Sequence, residues 1–205
     1  MQNCKRIATN LAVGPVLEAL NAQQDMWSEI TIRQTYPGSA HHDTACIFAR
    51  GPEAFTMEKY LDDLGSYDFP AMDKLAGVLV PALRPVLQEV LKVDQLGRVL
   101  IINLKAGGQV DDHIDEGTYA DHFARFHVVL STNPHCHNVT GGEAAHWEVG
   151  ECWWFDHKKL HSAMNYGATD RIHIAFDAVA PAFPMPKVPV SRNKADTVAV
   201  RVDAV

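Results

Sequence analysis

Basic charge is scarce in this chain: 18 Lys+Arg stand against 25 Asp+Glu in 205 residues, a formal charge of −7. Proteins that bind nucleic acid broadly show a basic face that displaces counterions from phosphates, so no nucleic-acid partner is expected. Long apolar runs are missing too. The longest, residues 75–83, falls far short of the ~20 residues that span a bilayer, and no membrane partner is expected. Lys5 and Arg6 precede an apolar run over 11–17, but Glu18 closes it without a small-residue cleavage site, so an unprocessed, cytoplasmic chain is expected. The four cysteines, Cys4, Cys46, Cys136 and Cys152, form no C-x-x-C pair, which argues against a disulfide framework and a four-thiolate zinc site. Absence of H-E-x-x-H weakens a zinc hydrolase. No repeat, low-complexity block or charge run divides the sequence, so 1–205 reads as one domain.

What is present is a core-forming composition, 47% hydrophobic, with a change of character near residue 97. Residues 1–97 read as covering helices and strands: a helix over 11–24, a hairpin of 27–35 with 44–50, and one kinked or two short helices over 71–93 around Pro81 and Pro85. Residues 98–178 read as short strands at 98–105, 109–114, 122–130, 145–149, 151–155, 160–164 and 171–177, with Gly and Asn-Pro turns between them. That spacing predicts a mainly β fold with flanking helices, a double-stranded β-helix of the jelly-roll, cupin-like kind. Residues 179–205 read as an extended tail strapped over the barrel.

Nine of the eleven histidines fall between His113 and His173, inside the predicted barrel. Most, including His122, His135, His137 and His157, read as ordinary strand or loop residues, with 135–137 a surface loop. His41 and His42 read as a loop whose histidine could reach substrate. His113 and Asp115 differ, because residues i and i+2 of a strand project to one side and can hold one ion together. His161, on a later strand, supplies a third ligand. Two histidines and one carboxylate leave three positions of an octahedron open, the arrangement of non-haem Fe(II) oxygenases. Arg171, ten residues on, would point a guanidinium into an apolar barrel, where it needs an anion that fits its fork. A dicarboxylate co-substrate would provide one, its 2-oxo acid end taking two open metal positions and leaving one for oxygen. A structural ion pair with Asp177 is the competing role for Arg171, and Trp147, Trp153 and Trp154 read as packing residues.

The stretch from Gly108 to Asp177, about a third of the chain, resembles the aspartyl/asparaginyl β-hydroxylase branch of the Fe(II)/2-oxoglutarate dioxygenases, which takes in related proline hydroxylases. The residues that carry the likeness are HID at 113–115, RFHVVL at 125–130, WEVGECWWFD at 147–156, His161 followed by Asn165, and RIHIAFD at 171–177, with TACIFAR at 44–50 a weaker match. The resemblance implies His113, Asp115 and His161 as iron ligands and Arg171 as partner of the distal carboxylate of 2-oxoglutarate. It also implies that Arg125 and His127 help hold carboxylates near the metal, of co-substrate or of substrate. Asp115 sets the chain nearer the members with a complete ligand set, the proline hydroxylase types among them. The expected activity is hydroxylation of an unactivated C–H bond of an amino acid, or of an aspartyl, asparaginyl or prolyl side chain in a peptide, with Fe(II), 2-oxoglutarate and molecular oxygen. A non-catalytic cupin-like barrel that binds a metal or small molecule is the alternative.

Overall fold

The structure is a computed structural model that describes residues 1–181 and 183. In chain order it runs β1 (Cys4–Ala8), α1 (Gly14–Asn21), a 3₁₀ turn (Gln24–Ser28), α2 (Ile32–Thr35), β2 (Thr44–Gly51), α3 (Met57–Leu61) and β3 (Tyr67–Asp68). Then come α4 (Pro70–Arg84), a π-helical turn (Pro85–Val90), β4 (Gln95–Leu104), β5 (Gln109–His113) and α5 (Thr118–His122). The chain continues with β6 (Ala124–Ser131), β7 (Cys136–Thr140), β8 (Glu143–Ala145), β9 (Cys152–Phe155), β10 (His161–Asn165) and β11 (Arg171–Val179). The strands form two antiparallel sheets, one in the order β1-β9-β6-β11-β4-β2-β3 and one in the order β5-β10-β7-β8. This is the expected jelly roll with helices outside. The expected tail lies mostly outside the described residues.

Period-two alternation decides what each face of the large sheet does. On β11, Ile172, Ile174, Phe176 and Ala178 pack with Phe126 and Val128 of β6 against Val16 and Leu20 of α1 and Leu75, Leu79 and Leu83 of α4. The residues between them, Arg171, His173, Ala175 and Asp177, face the small sheet, as do Arg125 and His127 of β6. One face is therefore an apolar core and the other a lined interior.

The helices start where proline helps. Pro15 and Pro70 sit in first turns, where a missing N–H costs nothing. Pro81 lies exposed within α4, so the backbone partner it forfeits faces water. After Pro85 the helix widens, and Leu91 N–H donates to Val86 O at 2.9 Å. The helical run over 70–90 is continuous rather than split.

Four expectations are corrected. Residues 27–35 are not a strand: a 3₁₀ turn ends at Ser28 and α2 spans Ile32–Thr35, and both pack on β2, while β3 pairs with β2 only at Arg50 and Gly51. β1 went unseen since Lys5 and Arg6 interrupt it; pairing with β9, and Arg6 Nη1 donating to Glu151 Oε1 at 2.7 Å, holds it as an edge strand. The segment 145–149 leaves its sheet after Ala145, which turns Trp147 inward. Residues 136–137 begin β7 rather than lying in a loop.

The turn from β10 to β11 hangs on Asn165, which is fully buried. Its Nδ2 donates to the carbonyls of Leu104, Lys105 and Thr169 at 2.9–3.1 Å, and its Oδ1 accepts from Asn133 Nδ2 at 3.0 Å and Gly167 N–H at 3.2 Å. Asn165→Ala would strand several buried polar groups, each worth about 1–3 kcal/mol when left unpaired. Urea denaturation should show a loss of about 2–4 kcal/mol; an unchanged midpoint would show that water replaces the amide without cost.

Candidate metal and co-substrate site

His113 ends β5, His161 opens β10, and the two stand opposite each other in the ladder, with ring centroids 4.1 Å apart. Asp115 follows two residues past the strand end, its N–H bound to His157 O at 3.1 Å. One ligand atom from each of the three lies within 4.8 Å of the others. His113 Nδ1 is 2.8 Å from Asp111 O and His161 Nδ1 is 2.9 Å from Lys159 O, so each donates that proton to a carbonyl and keeps the Nε2 lone pair for an ion. The turn behind Asp115 requires Gly117, whose φ is +93° and where a Cβ would fall 2.5 Å from Leu61 O.

Arg125 gathers the carboxylates. Its Nε and Nη2 donate to the two oxygens of Asp177 at 2.7 and 3.1 Å, while Nη1 donates to Asp115 Oδ2. Desolvation alone would raise the pKa of Asp115, but Arg125 first, then His161 and its neighbours, hold it well below the usual carboxylate range. Desolvation lowers His161 to about 4, leaving it neutral at neutral pH. Two imidazoles, each with its Nε2 lone pair directed to the same point, and one ionised carboxylate form a donor set that fits a divalent ion of the Fe(II) kind.

Beyond the three lies an interior cavity bounded by both sheets, with Arg171, Asn138, His127, Trp147 and Ser162 in its lining. Arg171 is 4% exposed; its Nη2 donates to Asn138 Oδ1 and its Nε has no partner. Burial pushes its guanidinium down to about 10. Asp177, the competing structural partner, is spent on Arg125, and Arg171 meets no carboxylate among the described residues. A buried cation with an open donor fits the distal carboxylate of a dicarboxylate. His127 lies in the same cavity, its Nδ1 3.3 Å from His173 Nδ1, and desolvation followed by the charge of Arg171 pushes its pKa well down.

One site residue was not foreseen, Arg33. Of His41 and His42, expected in a loop whose histidine could reach substrate, His41 sets its ring edge-on to His113 with centroids 4.8 Å apart, whereas His42 is exposed. Arg33 comes from α2 and borders both this cavity and a larger one beside Asp115. No local pattern marks Arg33, because its reach depends on how α2 docks on β2. Trp147 and Trp153 stack at 5.5 Å, as packing residues should.

His127, His157, His161 and His173 are all lowered by desolvation, so below the ordinary imidazole pKa of about 6.5 the unfolded chain binds protons that the fold refuses. Stability of the metal-free protein should therefore fall as pH drops from about 6.5 to about 4, His161 alone contributing on the order of 3 kcal/mol, and Asp115 adds a loss at still lower pH. Thermal melts across this window check the sign; a flat Tm would contradict it.

Among the described residues no helix is long and apolar enough to cross a membrane, and all four cysteines are free and buried. Over 123 residues, 60% of this chain, the sequence is 28% identical to the L-proline cis-4-hydroxylase of Rhizobium meliloti (strain 1021), the match spanning 44% of that relative. A crystal structure of an oxidoreductase of the 2OG-Fe(II) oxygenase family from Burkholderia pseudomallei shares the fold at a TM-score of 0.51 and 11% identity, covering 78% of this chain and 76% of that one. The family model for aspartyl/asparaginyl beta-hydroxylase matches residues 19–181. With its jelly roll and its cluster of two histidines and an aspartate, the chain belongs to the aspartyl/asparaginyl β-hydroxylase family.

Proposed function

We propose that the protein is an Fe(II)- and 2-oxoglutarate-dependent oxygenase, cytoplasmic, that hydroxylates an unactivated C–H bond of an amino acid, or of an aspartyl, asparaginyl or prolyl side chain in a peptide. The observation that carries this is the triad His113, Asp115 and His161, with both Nδ1 protons committed to carbonyls and an arginine lacking an anion in the adjoining cavity. When bound, Fe(II) and 2-oxoglutarate supply the oxidation: one atom of O₂ ends as the new hydroxyl, the other in succinate, and carbon dioxide leaves.

The chain's own residues hold, orient and shield. His113, His161 and Asp115 would hold the ion, and Arg125, locked by Asp177, keeps Asp115 ionised and aimed. Arg171 would take the distal carboxylate, and His127 borders the same space. Trp147 and Phe155, both buried, line the cavity with apolar surface. The name of the Rhizobium relative supports an amino-acid substrate.

His161→Ala should abolish iron-dependent turnover and leave a folded barrel by circular dichroism; full iron occupancy with turnover would overturn the ligand assignment. Arg171→Ala should lose about 2–5 kcal/mol of 2-oxoglutarate binding, roughly a 30-fold to several-thousand-fold rise in Kd by anaerobic calorimetry, with Lys recovering part of it. Unchanged affinity in the folded variant would make Arg171 a structural residue.

A further inference from the structure

A second cavity, of about 340 Å³, opens beside Asp115 on the side away from Arg171. Three cations line it, and two are accounted for. Arg125 is bound by Asp177 and Asp115. Arg98, whose Nε also has no partner and which also meets no carboxylate among the described residues, donates from Nη2 to Lys59 O at 3.3 Å. Its guanidinium is stacked between Tyr60 and Tyr119, the carbon 4.6 and 3.6 Å from their ring centroids, so its faces are covered. Arg33 is different. It is 9% exposed, its Nη1 donates to the Tyr60 hydroxyl at 3.0 Å, its Nε has no partner, and it pairs with no carboxylate among the described residues. A guanidinium nine-tenths out of water is costly unless an anion meets its fork. Because Arg33 lines both cavities, that anion would sit at their junction, next to Asp115.

The mouth has the opposite character. Tyr36, Met57 and Ile114 line it and are 43%, 50% and 45% exposed, a largely apolar rim that also carries the exposed Thr56 and Glu116, around a floor where three arginines outnumber the one carboxylate of Asp115. A ligand with an apolar body and one carboxylate matches both, and the space is that of a small-molecule site.

We infer that this cavity takes a substrate with a free α-carboxylate and an apolar body, an amino acid or the C-terminal residue of a short peptide, and that Arg33 is the residue that selects it by pairing with that carboxylate. This rests on the oxygenase reading and names the substrate class of the same site. An internal residue of a polypeptide has no α-carboxylate and would leave Arg33 unpaired.

The test uses protein loaded with Mn(II), which cannot turn over, with and without 2-oxoglutarate, titrated calorimetrically with L-proline, L-prolinamide, L-leucine, L-leucinamide and glycyl-L-proline. At least one acid should bind tenfold or more tightly than its amide. Glycyl-L-proline separates a free amino acid from a peptide C-terminus. Arg33→Met should bring the acid down to the level of the amide while 2-oxoglutarate affinity holds, and Arg33→Lys should keep part of the preference. Equal binding of acid and amide in the unsubstituted protein, binding of neither, or a preference that survives Arg33→Met would overturn the inference. The acid–amide comparison needs no variant, so it decides even if Arg33→Met fails to fold. Loss of 2-oxoglutarate binding in the unsubstituted protein would instead strike the oxygenase reading, while the comparison without 2-oxoglutarate still decides the role of Arg33.

Discussion

One guanidinium holds two carboxylates here, and the site depends on it. Arg125 reaches across from β6 to Asp177 on β11 and forward to Asp115 beyond β5, tying the large sheet to the loop that carries the acidic residue of the triad. Without that cation, Asp115 would lie in a desolvated place beside two imidazoles, where protonation is the cheaper state. With it, the carboxylate stays ionised and keeps one direction. Asp177 makes the arrangement rigid, because a fork held at two points has no freedom to follow a third partner. Arg125 was expected to hold carboxylates near the metal. The carboxylates it holds belong to the protein.

The rest follows from alternation. A strand that buries Ile174 and Phe176 against the helices must turn His173, Ala175 and Asp177 the other way, and the same rule applied to β6 turns Arg125 and His127 into the same space. The small sheet closes that space from the opposite side and brings His113 and His161 together as ladder partners. Charge is thus concentrated between two sheets, where desolvation lowers His127, His161 and His173 and leaves Arg171 and Arg33 in want of anions.

Most of the large-sheet strands and the triad were legible in the sequence because they rest on period-two patterns and i, i+2 spacing, which are local. The inward direction of Arg171 follows from the same rule, since it shares a strand face with His173 and Asp177. What escaped was set by docking. Residues 27–35 carry strand-prone side chains, yet the segment docks on β2 through a 3₁₀ turn and α2, and so delivers Arg33, because tertiary packing overrides local strand propensity. β1 is legible only once β9 is there to receive it, and the inward turn of Trp147 depends on the strand stopping at Ala145. His41 enters through the packing of a turn on His113, which spacing does not reveal.

The most direct measurement is an anaerobic crystal structure with Fe(II) and 2-oxoglutarate. The ion should sit on His113 Nε2, His161 Nε2 and Asp115, with the distal carboxylate on Arg171 and Arg125 still on Asp177. Iron bound elsewhere, or a distal carboxylate seated on Arg125 with Asp177 released, would contradict it.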